Sequence, residues 1–384
     1  MRRKIRMGMV GGGPGAFIGN VHRMAAALDG CIELVCGAFS SDPQKSLEAG
    51  RNLFLPEERC YPDFQTMIQR EASLPLGERM DFVAIVTPNH MHFAPAKMAL
   101  EHGFHVVCDK PLCFSMEQAY ELVALVERTK LIFAVTHNYS AYPMVKEARV
   151  RIQSGALGAI RKVLVTYPQG WLSTFLEAED NKQASWRTDP NRSGKAGAIG
   201  DIGTHAENLV SYITGLHIES LCADISTLVA GRQLDDDGSI LLRFSNGARG
   251  VLTASQICAG EENNLRIQIY GEKGALEWHQ MEPNTLLCRH LDRPTEIVRT
   301  GTGGLSMEAQ VHTRLPGGHP EGYLEAFANI YRNVAMAIDS VLHGTPFDAE
   351  VYDFPSVYDG LAGMQFIDKA IESGKSDKKW LSFS

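Results

Sequence analysis

Long apolar runs are missing from this chain. Its longest hydrophobic stretches fall far short of the length that crosses a bilayer, so no membrane span is expected. Basic clusters are missing as well. Lys and Arg number 37 against 45 Asp and Glu, for a formal net charge of −8, which argues against nucleic acid or an anionic membrane as partner. The eight cysteines (Cys31, Cys36, Cys60, Cys108, Cys113, Cys222, Cys258 and Cys288) form no Cys-x-x-Cys pair. Several lie within apolar strands, so they read as reduced core thiols, and no metal site is expected. Met1-Arg2-Arg3-Lys4 runs straight into an apolar strand without the longer apolar stretch of a signal peptide, so a cytoplasmic location is expected. Internal repeats and low-complexity segments are absent.

What is present is enough apolar residue, 44% of 384, to bury a sizeable core, and a length that suggests two domains. Up to about residue 135, strand and helix alternate, the pattern of a doubly wound parallel sheet. Strands are expected at Ile5 to Val10, Leu34 to Phe39, Phe82 to Val86, His105 to Cys108 and Leu131 to Val135. A helix follows the first of them, with Phe17, Ile18, Val21, Met24, Ala25 and Leu28 at helical spacing, and another spans Ser115 to Thr129. After Asn138 the grammar changes. Pro143 opens a helix that Gly155 closes, and from about 219 to 299 strand follows strand, with Asn246-Gly247 and Glu272-Lys273-Gly274 as turns. Two helices close the chain, Tyr323 to Leu342 and about Phe354 to Ser373. The reading is a domain over 1–137 and an α+β domain with a large, mostly antiparallel sheet over 138–384, whose C-terminal helix can pack back on the first domain. The Gly-rich stretches 168–200 and 300–322 read as irregular loops of the kind that often carry function.

Strand Ile5–Val10 runs into Gly11-Gly12-Gly13-Pro14-Gly15-Ala16-Phe17 and a helix. Gly11, Gly13 and Ala16 fit G-x-G-x-x-G/A: a tight turn, a close backbone approach to a pyrophosphate, and a small residue for helix–strand packing. A bare glycine-rich turn is the bland alternative, but the strand–turn–helix context favours a dinucleotide. After the second strand come Ser40, Ser41, Asp42, Pro43, Gln44 and Lys45. Asp42 suits the ribose of NAD, the serines and Lys45 suit the extra phosphate of NADP, and helix initiation alone accounts for Asp42-Pro43 equally well. With no arginine after the strand, NAD is favoured over NADP. Thr87 and Asn89, just beyond the strand Phe82 to Val86, are further cofactor candidates, as contacts to ribose or nicotinamide. His90 and His92 suggest a metal pair less well than a helix cap.

Asp109-Lys110-Pro111 ends a strand at the same sheet edge, where an ammonium can hydrogen-bond a substrate hydroxyl and steady charge on its oxygen. A solvated surface lysine is the bland alternative. Farther on, Ser185-Trp186-Arg187-Thr188-Asp189-Pro190 leads through a glycine-rich bend to Asp201-Ile202-Gly203-Thr204-His205. Asp201 and His205 share a face at what reads as a helix start, and a carboxylate beside an imidazole builds a proton acceptor. Taken alone, Asp201 reads as an N-cap and His205 as a core histidine in the stripe Ile202, Ala206, Leu209, Val210, Ile213. Beside a dinucleotide site, the catalytic reading is the better one.

Together Gly11-x-Gly13-x-x-Ala16, Thr87-Pro88-Asn89, Asp109-Lys110-Pro111, Asn138-Tyr139, Trp186-Arg187 and Asp201-x-x-x-His205 resemble, in order and over nearly the whole chain, the glucose–fructose oxidoreductase/inositol dehydrogenase family. That resemblance implies a Rossmann domain plus a domain with an open, largely antiparallel sheet, NAD(P)-dependent chemistry at a sugar or polyol carbon, and homodimers or homotetramers pairing through that sheet. It places the family lysine on Lys110, the Asp and His on Asp201 and His205, and cofactor contacts also on His92, Asp109 and Asn138. It further implies a cis Lys110–Pro111 bond. Gly37 to Pro43, His137-Asn138-Tyr139 and Gln169-Gly170-Trp171 look like the levoglucosan dehydrogenase branch, whose members make 3-keto sugars. That likeness implies substrate roles for Tyr139, Gln169, Trp171 and Arg187, with His319 placed near them. A loop anchor is the bland reading of Trp171. Asp109 departs from the family's usual Glu, and its shorter reach puts its cofactor contact in doubt.

The mechanism expected from these readings is oxidation of a secondary alcohol. His205, oriented by Asp201, takes the hydroxyl proton, Lys110 hydrogen-bonds the same oxygen, and nicotinamide receives the hydride. Histidine is preferred as base because an unperturbed imidazole titrates near ~6.5 and a lysine near ~10.4, roughly three units too high for neutral pH. An NAD-dependent glycosidase working by transient oxidation and elimination is one rival, and a non-catalytic dinucleotide-binding regulator is the other.

Overall fold

The structure is a computed structural model that describes residues 3–179 and 181–383. In chain order the first elements are β1 (Ile5–Gly11), α1 (Phe17–Leu28), β2 (Ile32–Ala38), α2 (Pro43–Asn52), α3 (Phe64–Ser73), β3 (Phe82–Val86), α4 (Phe93–Glu101), β4 (His105–Cys108), α5 (Met116–Thr129) and β5 (Phe133–Val135). There follow α6 (Pro143–Gln153), β6 (Ile160–Pro168), α7 (Lys182–Arg187), α8 (Pro190–Ser193), α9 (Thr204–Thr214), β7 (Ile218–Ser226), β8 (Asp237–Phe244), β9 (Arg249–Ser255), β10 (Arg266–Gly271), β11 (Gly274–His279), β12 (Thr285–His290) and β13 (Glu296–Arg299). The chain ends with α10 (Met307–Val311), α11 (Tyr323–His343), α12 (Val357–Lys375) and β14 (Trp380–Ser382). Two compact units result: Met1–Asn138 with Tyr323–Leu361, and Tyr139–Gly322 with Ala362–Ser384. Residues 323–361 thus belong with the first unit. Among the described residues no helix is long and apolar enough to cross a membrane.

The first unit holds a five-stranded parallel sheet in the order β2-β1-β3-β4-β5. Its central strand β3 is buried along its whole length, as expected where helices cover both faces of a parallel sheet. Chain order reverses between β1 and β3, and ligands of such sheets bind beyond the strand ends at that switch. In α1 the buried face is Gly19, Val21, His22, Ala25 and Ala26, with α11 packed against the helix. Phe17, Met24 and Leu28 from the expected apolar stripe lie exposed instead.

The second unit holds a nine-stranded sheet in the order β13-β12-β11-β10-β6-β9-β8-β7-β14. Its register aligns one row of side chains across seven strands: Ile240, Leu252, Val165, Ile267, Trp278, Leu286 and Val298 are successive neighbours, and all are buried. Side chains alternate across a sheet, so the adjacent row, from Leu241 through Val251, Leu164, Gln268, Glu277 and Leu287 to Ile297, forms the other, more open face. Among the described strands of this sheet, only β6 and β9 pair in parallel. The hairpin at Asn246-Gly247 forms as expected, with Gly247 at φ 88° and its N–H donated to Phe244 O at 2.9 Å.

The two stretches expected to be irregular carry short helices. Side chains of Asn181, Asp189 and Ser306 cap α7, α8 and α10 by accepting from backbone N–H groups one turn in. The strand β14 also lies outside the sequence-based expectation. Its three residues pair with β7, a tertiary contact that local pattern does not announce.

His105, at the start of β4, is buried and accepts the Ile132 N–H on Nδ1 at 2.9 Å. Burial lowers its pKa to about 4 against a partly opposing Asp81. The unfolded chain therefore takes up a proton near pH ~6.5 that the folded chain refuses, so stability present above that pH is lost as pH falls toward about 4. His105→Asn, which keeps an acceptor but does not titrate, is expected to remove about 2 kcal/mol of the stability lost between pH 7 and 5. Urea unfolding at the two pH values checks this, and an unchanged difference contradicts it.

Candidate active site

At the strand ends of the first unit, the glycine turn is shaped by close approach. Gly11 has φ 86°, and a Cβ on it would sit 2.8 Å from Thr87 Cγ2 and 2.9 Å from Val86 O. Gly12 and Gly19 touch so closely that a Cβ on Gly19 would lie 2.3 Å from Gly12 Cα. Helix α1 therefore meets the turn at Gly19, one turn beyond Ala16, which instead holds the N-cap position. Pro14 and Gly15 are exposed and Phe17 begins the helix, whose N-terminal N–H groups suit an anion. Gly13 N–H donates to Phe39 O at 3.0 Å, tying the turn to the end of β2.

Beyond β2, Asp42 serves as the N-cap of α2, accepting from Gln44 N at 2.9 Å and Lys45 N at 3.2 Å, so helix initiation is the role that the geometry displays. Its own N–H donates to Ser40 Oγ at 3.1 Å, and Ser41 is exposed beside them.

Thr87 and Asn89 follow β3, with Asn89 buried. His92 holds the N-cap position of α4, as expected, but its side chain makes no capping bond. Its ring is fully buried, with Nδ1 2.8 Å from Pro111 O and Nε2 2.8 Å from Thr87 O. The side chain thereby staples the Thr87 loop to the turn that carries Lys110. Both partners are acceptors, whereas a neutral imidazole donates one proton at a time. Burial lowers the His92 pKa, and Asp109 and the two carbonyls oppose that.

The Lys110–Pro111 bond is cis, as the resemblance implied, and Lys110 is half-buried. Asp109 is engaged within the unit: Oδ1 accepts from Thr136 Oγ1 at 2.8 Å and from Lys110 N at 3.0 Å. His22 Nε2 stands 4.0 Å from the same oxygen, while its Nδ1 meets the Tyr331 hydroxyl at 2.7 Å. Burial holds His22 near pKa 4, with Asp109 pulling the other way. Asn138 is buried at the end of this unit.

In the second unit Asp201 is not an N-cap. It lies inside a π-helical turn, Ile199–Gly203, that runs directly into α9. Such turns often mark functional positions in helices. The turn is pinned by the buried Asp235, whose carboxylate accepts Gly197 N at 2.6 Å and Ile199 N at 2.8 Å. Asp201 Oδ2 accepts from Gln256 Nε2 at 2.8 Å and faces Arg187 Nε at 3.4 Å. His205 is buried, its ring edge-on to Tyr139 at 4.8 Å.

Around this pair the structure gathers Tyr139, Gln169, Trp171 and Arg187. Arg187, on α7, lies 4.2 Å over the Trp186 ring and 5.9 Å from that of Trp171, and donates to Gln183 Oε1 at 2.6 Å. Trp171 Nε1 donates to Gln169 Oε1 at 3.1 Å. His319 is exposed, and its Nδ1 lies 3.1 Å from Pro316 O, within its own loop. Tyr167, Gln256 and Asn263 join the cluster and were not read from the sequence. Their signal is positional: one residue beyond the last β6–β9 pair, Pro168 with Ser255, Gln256 falls opposite Gln169.

A glycine turn shaped for close approach on a parallel sheet, and an Asp–His pair in a polar, aromatic-lined cluster, define an NAD-binding oxidoreductase. Residues 5–137 match the family described as "Oxidoreductase family, NAD-binding Rossmann fold", and residues 145–277 match the GFO/IDH/MocA C-terminal domain. The chain belongs to the GFO/IDH/MocA oxidoreductase family. It is 34% identical to an uncharacterized oxidoreductase of Bacillus subtilis over 99% of this chain and 97% of that protein. It is similar to the solved inositol dehydrogenase homologue of Azotobacter vinelandii in complex with NAD+, at TM-score 0.94 and 34% identity over 99% and 98% of the two chains. Levoglucosan dehydrogenase of Pseudarthrobacter phenanthrenivorans is 28% identical over 71% of this chain and 73% of its own.

Gly11→Ala forces a side chain into the Thr87 contact at a positive φ. It is expected to weaken NADH binding at least about tenfold and to cost about 1–3 kcal/mol of stability. Fluorescence titration with NADH and denaturant unfolding check both, and unaltered affinity contradicts the reading of this turn.

Proposed function

We propose that the protein catalyses the reversible, NAD-dependent oxidation of a ring secondary alcohol on a sugar, anhydrosugar or polyol. The observation that supports this most is the Asp201–His205 pair set among Arg187, Trp171, Gln169 and Tyr139. An indole face packs on a sugar ring, while amide and guanidinium groups bond its hydroxyls. The likeness to the levoglucosan and inositol enzymes supports the same substrate class. Position C3 is the narrower reading, carried by the His137-Asn138-Tyr139 and Gln169-Gly170-Trp171 likeness to enzymes that make 3-keto sugars.

The residues of the first unit fit the cofactor, because glycines packed against Thr87, Val86 and Gly19 fold the turn tightly, with Pro14 and Gly15 exposed before the N-terminus of α1, where backbone N–H groups suit a pyrophosphate. Gly11 to Phe17 hold the pyrophosphate in this reading, Ser40 to Lys45 the adenosine ribose, and Thr87, Asn89 and Asn138 the nicotinamide end. When bound, NAD supplies the hydride acceptor. His205 takes the hydroxyl proton, Asp201 orients the imidazole and stabilises the charge it gains, and Lys110 donates to the same substrate oxygen. Copies of the chain pair through the open face of the nine-stranded sheet, where Leu241 and Ile297 lie exposed.

A panel of inositols, anhydrosugars, glucosides and aldoses with NAD and NADP is expected to yield NADH with at least one ring polyol and a preference for NAD. Leaving-group release without net NADH would instead favour the glycosidase. His205→Ala is expected to lower kcat at least about a hundredfold. Near-normal turnover in His205→Ala, with activity abolished in Lys110→Ala, would transfer the role of base to the lysine.

A further inference from the structure

We infer that Gln256 and Asn263 are positioning residues in a hydrogen-bond chain across three strand ends, in which Gln256 donates to Asp201 on one side and, on the other, to Gln169, from which the donors run through Asn263 to Tyr139. The inference rests on reading Asp201–His205 as the proton-accepting pair.

The register sets the chain up. Gln169 follows β6, which has β9 on one side in parallel and β10 on the other in antiparallel. Continuing both registers past the strand ends places Gln256 on one flank of Gln169 and Asn263 on the other. Backbone bonds continue the pairing: Gln169 N donates to Ser255 O at 2.8 Å, Cys258 N to Gln169 O at 2.9 Å and Leu172 N to Gln256 O at 3.1 Å. The face that is apolar along Val165 and Tyr167 thus turns into a row of amides.

The direction follows from donor chemistry. A carboxylate only accepts, so the Gln256 amide nitrogen faces Asp201 Oδ2 at 2.8 Å, and it also reaches Gln169 Oε1 at 3.3 Å. With its oxygen taken by Gln256 and by Trp171, Gln169 turns its nitrogen to Asn263 Oδ1 at 2.7 Å. Asn263 then presents its nitrogen to the Tyr139 hydroxyl at 3.0 Å. Tyr167 gives its one hydroxyl proton to Asn263 Oδ1 at 2.6 Å, so in the 2.5 Å contact between the two tyrosines Tyr139 is the donor. Every amide is thereby oriented by the charge on Asp201.

Two consequences follow for the substrate. Tyr139 beside His205 spends its proton on Tyr167 and presents oxygen. The Gln169 amide, with one hydrogen on Asn263, keeps a second for a ligand hydroxyl, while Trp171, its N–H committed, offers its ring face. A polyol hydroxyl that accepts from Gln169 matches this wall.

Two isosteric variants test the inference. Asn263→Asp removes the donor to Tyr139 and is expected to raise KM for the polyol about tenfold while kcat and NADH affinity stay within about threefold. Gln256→Glu puts a second negative charge beside Asp201. It is expected to lower kcat about tenfold and to move the acid limb of its pH profile upward, since added negative charge favours the protonated imidazole. Independently of turnover, side-chain amide spectra of protein labelled with 15N-glutamine should show Gln169 and Gln256 protected from exchange. Asn263→Asp should shift the Gln256 amide, although the two side chains do not touch. Kinetics and pH profiles within twofold of the parent in both variants, or a Gln256 amide that exchanges freely and ignores Asn263→Asp, would overturn the inference. If the parent oxidises no polyol, the functional reading fails by itself, and the amide spectra still decide whether the chain exists.

Discussion

The arrangement of the second unit depends on where β6 sits, between a parallel neighbour and an antiparallel one. Antiparallel neighbours alone would alternate strand starts and strand ends along an edge of the sheet. The parallel β6–β9 pair brings two strand ends side by side, and the start of β10 completes the row. Gln169, Gln256 and Asn263 are neighbours for that reason, and all three lie on the face that α9 covers. The π-helical turn then aims Asp201 into the amide row, held at its own beginning by the buried Asp235.

The first unit reaches its geometry by a different constraint, backbone contact where side chains would intrude. Gly11 lies against Thr87 and Val86, and Gly12 against Gly19. Behind these contacts His92 joins the Thr87 loop to Pro111, and Asp109 joins Thr136 to Lys110. The shorter acid at position 109 is thus occupied with shaping the lysine turn.

Local signals were legible in the sequence where one short segment carries its own physics. The glycine turn, the Asn246-Gly247 hairpin, the helix opened by Pro143 and the buried run Phe82 to Val86 each fall within a few residues, and each formed as expected. Features set by distant partners were not legible. Asp201 reads as an N-cap because Asp is a preferred cap, yet its partners Arg187 and Gln256 come from other segments. His92 does stand at the N-cap of α4, but the ring's partners, Pro111 O and Thr87 O, come from tertiary structure. The apolar stripe of α1 mixes buried Val21 and Ala25 with exposed Phe17 and Met24, because Gly19 decides which side of the helix meets the turn. The short helices α7, α8 and α10 are a different case: Asn181, Asp189 and Ser306 announce them, but glycine-rich surroundings obscure that signal.

The most direct measurement of the central claim is a crystal structure of the protein with NADH and a polyol that it turns over. The account predicts a ring hydroxyl within hydrogen-bond reach of His205, a neighbouring hydroxyl accepting from the Gln169 amide, and the ring against Trp171. A productive complex whose reacting hydroxyl lies away from His205, with the Gln169–Gln256–Asn263 row unengaged, would contradict it.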